Sequence, residues 1–231
     1  MAEKVTVEWL DAAGAGVAGA ARAPFARVLV CDLRDCAIAA PKAIAPLPGD
    51  VADAAYPGAS ERSYFLQRRV VLRAFAARCA GVAPETLRIF YDEHGAPRVD
   101  GAALFVSVSS RAARAALAVA SSPVGVDLEP FNMGAPVIED VLGKSERQAL
   151  AKLSGEARAR AFLRIWTAKE AYLKACGRGF KRDPSLVNID ARQSKFAVED
   201  TGFPAALMAG VFAPETDLIV ACAVLPRSDA A

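Results

Sequence analysis

The chain has 231 residues, of which 54% are hydrophobic and 23% charged, and its formal net charge is +2. That is enough chain for a sizeable core, and too little positive charge for a nucleic-acid binder. Five cysteines without a C-x-x-C pair and a single histidine argue against a disulfide framework, a structural zinc and any histidine metal cluster.

The first residues, Met1 to Glu8, carry no apolar signal core, and no apolar run approaches the roughly 20 residues of a membrane span. A cytoplasmic protein that does not contact membranes is expected. Residues 1–24 include an Ala/Gly-rich run from Asp11 to Ala23 with little to bury, which predicts a mobile arm. Val28 to Leu33 reads as a buried strand, and Pro41 to Gly58, with four prolines, as a loop with room for one helical turn.

Ser60 to Arg78 predicts the first helix, with Ser60 as its cap and Tyr64, Phe65, Val71, Leu72 and Phe75 as its apolar stripe. Arg62, Arg68, Arg69 and Arg73 give it a basic side, which reads either as a solvated face or as a phosphate-binding one. Strands are expected at Leu87–Tyr91, Leu104–Ser109 and Ala115–Ala120; His94 falls in the intervening turn Asp92–Pro97 and reads as a solvated loop residue.

The segment Val124–Pro130 alternates with period two. Val126 and Leu128 point one way, Asp127 and Glu129 the other. Two carboxylates on one strand face need a cation or open solvent to remain ionised together. Pro136 to Lys152 predicts helix, with Ser145-Glu146 in its middle or restarting a second helix, Glu156 to Ala175 a long one, and Asn188–Val198 and Leu218–Leu225 strands. Trp166, Glu170 and Lys174 recur every four residues and share one helix face. Gly177 stands where a left-handed cap is expected, and Gly179 permits a second sharp step. Similar elements follow one another in roughly 25–120 and 121–231, which predicts an N-terminal half and a C-terminal half bearing the acidic residues.

Asp127, Glu129 and Glu170 make a plausible site for a hard cation such as magnesium, and Lys169 and Lys174 beside it suit a phosphate-bearing substrate. Taken in order, Gly125-Val-Asp127-Leu-Glu129 and then Trp166-x-x-Lys169-Glu170-Ala-x-x-Lys174-x-x-Gly177-x-Gly179 resemble the signature of the 4′-phosphopantetheinyl transferases. The length and spacing resemble the larger monomeric class that activates surfactin synthetase.

The resemblance implies an α+β fold, a pseudo-dimer of two similar α/β halves with coenzyme A bound between them. Magnesium would be held by Asp127, Glu129 and Glu170 together with the pyrophosphate. A serine of an acyl- or peptidyl-carrier protein would attack the β-phosphate, releasing 3′,5′-ADP. Glu170 would deprotonate that serine and Lys174 stabilise the leaving group, with Trp166 packed beneath Glu170. Coenzyme A contacts are expected from Arg69, Arg73, Ser109, Ser110, Arg111, Lys169 and Lys174, and structural support from Trp166, Gly177 and Gly179.

The first half departs from the family pattern. Gly95-Ala96-Pro97 lacks the family's lysine at Ala96, and Ser109-Ser110-Arg111 lacks its histidine at Ser110. Both absent residues belong to the pocket for the nucleotide 3′-phosphate, and Arg111 is the nearest replacement cation. Three readings remain open: a working transferase with a rearranged pocket, a member using another phosphate-containing substrate such as dephospho-coenzyme A, and a non-catalytic partner of a carrier protein.

Overall fold

A computed structural model of the chain describes residues 5–10, 24–36, 46–53, 58–131, 136–177, 182–200, 207–214 and 216–227. Two β-sheets, each with one long helix and one hairpin, are built by a single order of elements used twice.

In the first half the strand β2 (Ala26–Asp32) leads through a short helix α1 (Pro48–Asp53) to the long helix α2 (Ala59–Ala80). A hairpin follows, β3 (Arg88–Tyr91) and β4 (Pro97–Asp100), and then the antiparallel pair β5 (Phe105–Arg111) and β6 (Arg114–Ala120). In the second half β7 (Val124–Pro130) leads through α3 (Lys144–Leu150) to α4 (Gly155–Ala175). The hairpin β8 (Val187–Ala191) and β9 (Phe196–Asp200) comes next, then β10 (Ala209–Phe212) and β11 (Leu218–Val224). The last strand of each half returns antiparallel to the first, β6 on β2 and β11 on β7, with β5 and β10 outside them. The pseudo-duplication is therefore visible in the strand order itself.

The two sheets share a core. Ala116, Ala118 and Ala120 of β6 and Val28 of β2 pack with Val126 and Leu128 of β7 and with Val220, Cys222 and Val224 of β11. Alanines suit this junction, because short side chains let two sheets approach while remaining fully buried. The other face of each sheet is covered by its own long helix, α2 over Leu29 and Leu117, and α4 over Ile219, Ala221 and Ala223. Between the halves, β5 meets β7 through serines rather than a backbone ladder. Ser107 Oγ accepts the Val126 N–H at 3.1 Å, and Ser109 Oγ donates to Asp127 Oδ1 at 2.8 Å.

Gly125 sets how close α4 lies to β7. A Cβ there would fall 1.9 Å from the Ala171 carbonyl oxygen and 2.5 Å from the Ala175 N. Backbone sits on backbone, so no side chain can yield. Gly125→Ala is expected to cost about 3 kcal/mol, the upper end for overpacking, and to lower the urea midpoint accordingly; an unchanged midpoint would mean that the strand and helix can separate freely.

Several expectations change. The arm over 1–24 contains a strand, β1 (Val7–Leu10), which pairs parallel to β2; Asp11–Ala23 lies outside the described residues. Helix α2 starts after Gly58, with Ser60 inside it and exposed rather than capping. Of the two arrangements expected over Pro136–Lys152 the restarted one forms: a single 3₁₀ turn, Glu139–Val141, comes first and α3 begins anew at Lys144. Gly143 in extended conformation separates the two and serves as the N-cap of α3, its N–H donating 2.7 Å to Glu146 Oε2. Asn188–Val198 is two strands, because Arg192–Ser194 turns the chain between β8 and β9.

Candidate functional site

A cavity of about 600 Å³ opens between the halves. Its first-half wall comes from the β3–β4 turn, His94 to Arg98, and from Phe105 to Val108 of β5. Its second-half wall comes from Pro123 and Val124, Glu170, Lys174 and the end of α4 through Gly177. The volume suits a small-molecule site, and most of the lining is apolar with a few polar groups at the inner end. A smaller cavity of about 360 Å³ lies between α3, α4 and β8, but its acid Glu146 is consumed by the fold, as described below.

The polar end of the larger cavity is where β7 and α4 meet. Asp127 is buried; its Oδ1 accepts from Ser109 Oγ and, at 2.7 Å, from Lys174 Nζ. Lys174 also donates 3.1 Å to the Val126 carbonyl. Glu129, two residues along the same strand face, is forked by Arg111, with Nε at 3.1 Å from Oε2 and Nη2 at 2.5 Å from Oε1. The indole N–H of Trp166 donates 3.3 Å to that Oε1. The indole N–H of Trp166 is thus spent on Glu129, a partner the resemblance did not imply. Glu170 is buried, and burial first and the negative charge of Asp127 second push its carboxyl up to about 7; Lys174 offsets part of this, and Glu129 adds to it.

Two carboxylate oxygens are left over. Asp127 Oδ2 and Glu170 Oε1 are buried and find no hydrogen-bond partner among the described residues. Buried orphan acceptors are costly, and two of them beside each other's negative charge describe a place for a cation. Among the described residues no three acidic, histidine or cysteine side chains are already gathered as a metal site. Both oxygens of Glu129 are taken by Arg111. Magnesium needs only one or two carboxylates plus substrate oxygens, so Asp127 and Glu170 fit such an ion as they stand.

The other expected coenzyme A contacts are corrected by burial. Arg69 and Arg73 are 2% and 1% exposed and both grip Asp50, Arg69 Nε at 2.9 Å and Arg73 Nη1 at 2.6 Å; Arg69 also donates to the Ile89 carbonyl. They belong to the first-half core, not to a phosphate. Ser109 holds Asp127, and Ser110 Oγ is taken by Arg68 at 2.6 Å. Arg111 is on Glu129. Lys169 is fully buried, paired with Glu146 Oε2 at 2.6 Å and donating to the carbonyls of Val141 and Pro184. Burial pushes its ammonium down, with Glu146 opposing. Glu146, in Lys144-Ser145-Glu146, thus caps α3, accepts the Ile189 N–H and neutralises Lys169. Of the seven residues only Lys174 lines the cavity. Gly177 closes α4 with φ +67°, and Gly179 lies outside the described residues.

Sequence reasoning missed His94, Arg98 and Phe105 as cavity walls. Arg98 is itself paired with Asp92 at 2.7 Å. The signal for Gly125 was present, since a glycine inside a strand marks a close approach.

Residues 123–223 match the family model for the 4′-phosphopantetheinyl transferase superfamily. The putative 4′-phosphopantetheinyl transferase slr0495 of Synechocystis sp. is 28% identical over 148 residues, covering 61% of this chain and 60% of that protein. The 4′-phosphopantetheinyl transferase HetI of Nostoc sp. is 30% identical over 129 residues, 52% of this chain and 54% of that protein. The matches thus span between half and two thirds of these relatives. The solved holo-acyl-carrier-protein synthase of Thermotoga maritima aligns with a TM-score of 0.39 at 21% identity, over 46% of this chain and 64% of that one.

Proposed function

We propose, because residues 123–223 match the 4′-phosphopantetheinyl transferase superfamily model, that the chain transfers the 4′-phosphopantetheine arm of coenzyme A to a serine of an acyl- or peptidyl-carrier protein, with magnesium and with release of 3′,5′-ADP. The observation that carries this reading is the pair of unpartnered oxygens on Asp127 and Glu170, set beside Lys174 at the polar end of a cleft between two halves.

Asp127 and Glu170, joined by Glu129 once Arg111 releases it, would hold the metal. When bound, the ion would supply neutralisation of charge on the pyrophosphate. Lys174 is already directed at this point by Asp127 and the Val126 carbonyl, so its ammonium can stay near a phosphate without an entropic cost at the moment of reaction. Burial and the charge of Asp127 push the Glu170 carboxyl up to about 7 in the metal-free site; a bound cation would lower it again, leaving a carboxylate that can serve as the general base for the attacking serine. Ser109 fixes the rotamer of Asp127, and Trp166 that of Glu129.

The test is direct. Incubation with coenzyme A, magnesium and an apo carrier protein should add the mass of one phosphopantetheine to the carrier. No mass gain on any acyl- or peptidyl-carrier protein would rule the reading out. A second reading, a donor lacking the 3′-phosphate, is favoured by the cavity wall itself. Ala96 stands there without a charge, Arg98 is held by Asp92, and Arg69 and Arg73 are sealed in the core. Dephospho-coenzyme A is then expected to support transfer about as well as coenzyme A; a strong preference for coenzyme A would instead place an unrecognised cation at the 3′-phosphate.

A further inference from the structure

Arg111 ends β5 at a two-residue hairpin, where Ala112 takes a left-handed φ of +49° and Arg111 pairs across with Arg114. From there its guanidinium covers both oxygens of Glu129, while Nη1 donates 3.1 Å to the Ser110 carbonyl. Lys174 does the same service for one oxygen of Asp127. The acidic cluster is thus neutralised by two cations of the chain, yet unequally. Lys174 leaves Asp127 Oδ2 open, whereas the fork of Arg111 closes Glu129. Arg111 is half exposed and Glu129 only 13% exposed, so the arginine can swing out to solvent and the carboxylate cannot.

We propose that Arg111 is an internal competitor of the divalent cation: it occupies Glu129 in the substrate-free protein and must leave it before Glu129 can become a ligand. This rests on the reading of Asp127, Glu129 and Glu170 as a cation site. A guanidinium and a divalent ion on the same carboxylate repel each other at close range. The two therefore bind Glu129 in competition, and by linkage each weakens the other equally. The site consequently binds the metal more weakly, through Asp127 and Glu170 alone, until Arg111 has somewhere else to go. The anionic groups of an incoming phosphate substrate are the chemical partners that would take a released guanidinium, so metal and phosphate would load together rather than in sequence.

Manganese(II) serves as the probe, its free fraction read by electron paramagnetic resonance without carrier protein and without turnover. Arg111→Gln is expected to bind manganese at least about fivefold more tightly than the wild type in the absence of substrate, the range of a typical coupling between two sites. Arg111→Lys keeps the charge but loses the fork, and should bind more tightly than the wild type though less than Arg111→Gln. In an Glu129→Gln background the advantage of Arg111→Gln should shrink, because the clamp has no carboxylate to hold. If Arg111→Gln binds no more tightly than the wild type while both bind manganese, the proposal fails and the cation site stands. If its advantage is unchanged in the Glu129→Gln background, the effect is long-range charge and the competition at Glu129 is refuted. If no variant binds manganese, with coenzyme A or without, the cation site falls and the proposal with it. Thermal melts of each variant, which alter only a hairpin tip and a strand end, confirm that folded protein is being compared.

Discussion

Asp50→Ala is expected to destabilise the protein by about 3–5 kcal/mol, the cost of breaking a buried ion pair by removing one partner. Asp50 is 2% exposed and serves two arginines that are as deeply buried. Its Oδ1 accepts from Arg69 and its Oδ2 from Arg73 and from the Leu47 N–H at the start of α1. Alanine would leave two guanidinium groups inside the first-half core without their carboxylate, and would free the N-terminus of α1. Replacing all three by apolar residues of similar volume should cost much less, since the buried charges are then gone together. Burial alone would raise the Asp50 carboxyl, but the bonds from Arg73, the Leu47 N–H and Arg69 outweigh it and hold it below the ordinary range. A depressed carboxyl contributes stability above its unfolded pKa and loses it as pH falls through the folded value. The gap between wild type and variant should therefore be full at pH 7 and narrow in acid. Urea unfolding at pH 7 and in acid measures both. A loss under 1 kcal/mol at pH 7 would show that Arg69 and Arg73 do not depend on Asp50, and would reopen them as phosphate ligands.

What could be read from the chain and what could not divides along a physical line. Alternation placed Asp127 and Glu129 on one face of β7, and the four-residue spacing placed Trp166, Glu170 and Lys174 on one face of α4, because both periods are local geometry. The same local geometry separates Lys169 from Lys174. Five residues turn a helix through about 140°, and Lys169 indeed points the other way, into Glu146. Grouping the two lysines in one site overlooked that rotation. Arg69 and Arg73 could not be assigned locally at all. A basic stripe on a helix looks the same whether it meets water, phosphate or a buried acid, and the acid that decides it lies in the separate short helix α1. The partner of Arg111 is likewise 18 residues away on the neighbouring half. Arg192–Ser194 carries no glycine, proline or asparagine and only Ser194 of the usual turn residues, so the turn between β8 and β9 left a weak compositional mark.

Glu170→Gln should divide activity from stability in opposite directions. The carboxyl sits at about 7 in the folded protein against an ordinary 4.5. The folded state then holds a proton that the unfolded state has released, so stability falls as pH rises from 4.5 to 7 and the full penalty is present above 7. A shift of that size corresponds to about 3 kcal/mol. Glutamine has nearly the same shape and cannot ionise. In chelator, the variant should therefore unfold later than the wild type at pH 8, by up to about 3 kcal/mol, and together with it below pH 4.5. Transfer to a carrier serine should meanwhile fall by about 10²–10⁴-fold, the usual worth of a general base, with a further loss if the amide also weakens the metal. Melts at pH 4 and pH 8 with transfer rates on the same preparations give both numbers. Equal melts at pH 8 would mean that burial and Asp127 do not raise the Glu170 carboxyl. Transfer that survives the substitution would remove Glu170 from the reaction and leave Lys174 and Asp127 to account for it. A variant that is both steadier and inactive is the result expected of a carboxylate kept at a cost to the fold for the sake of what it binds.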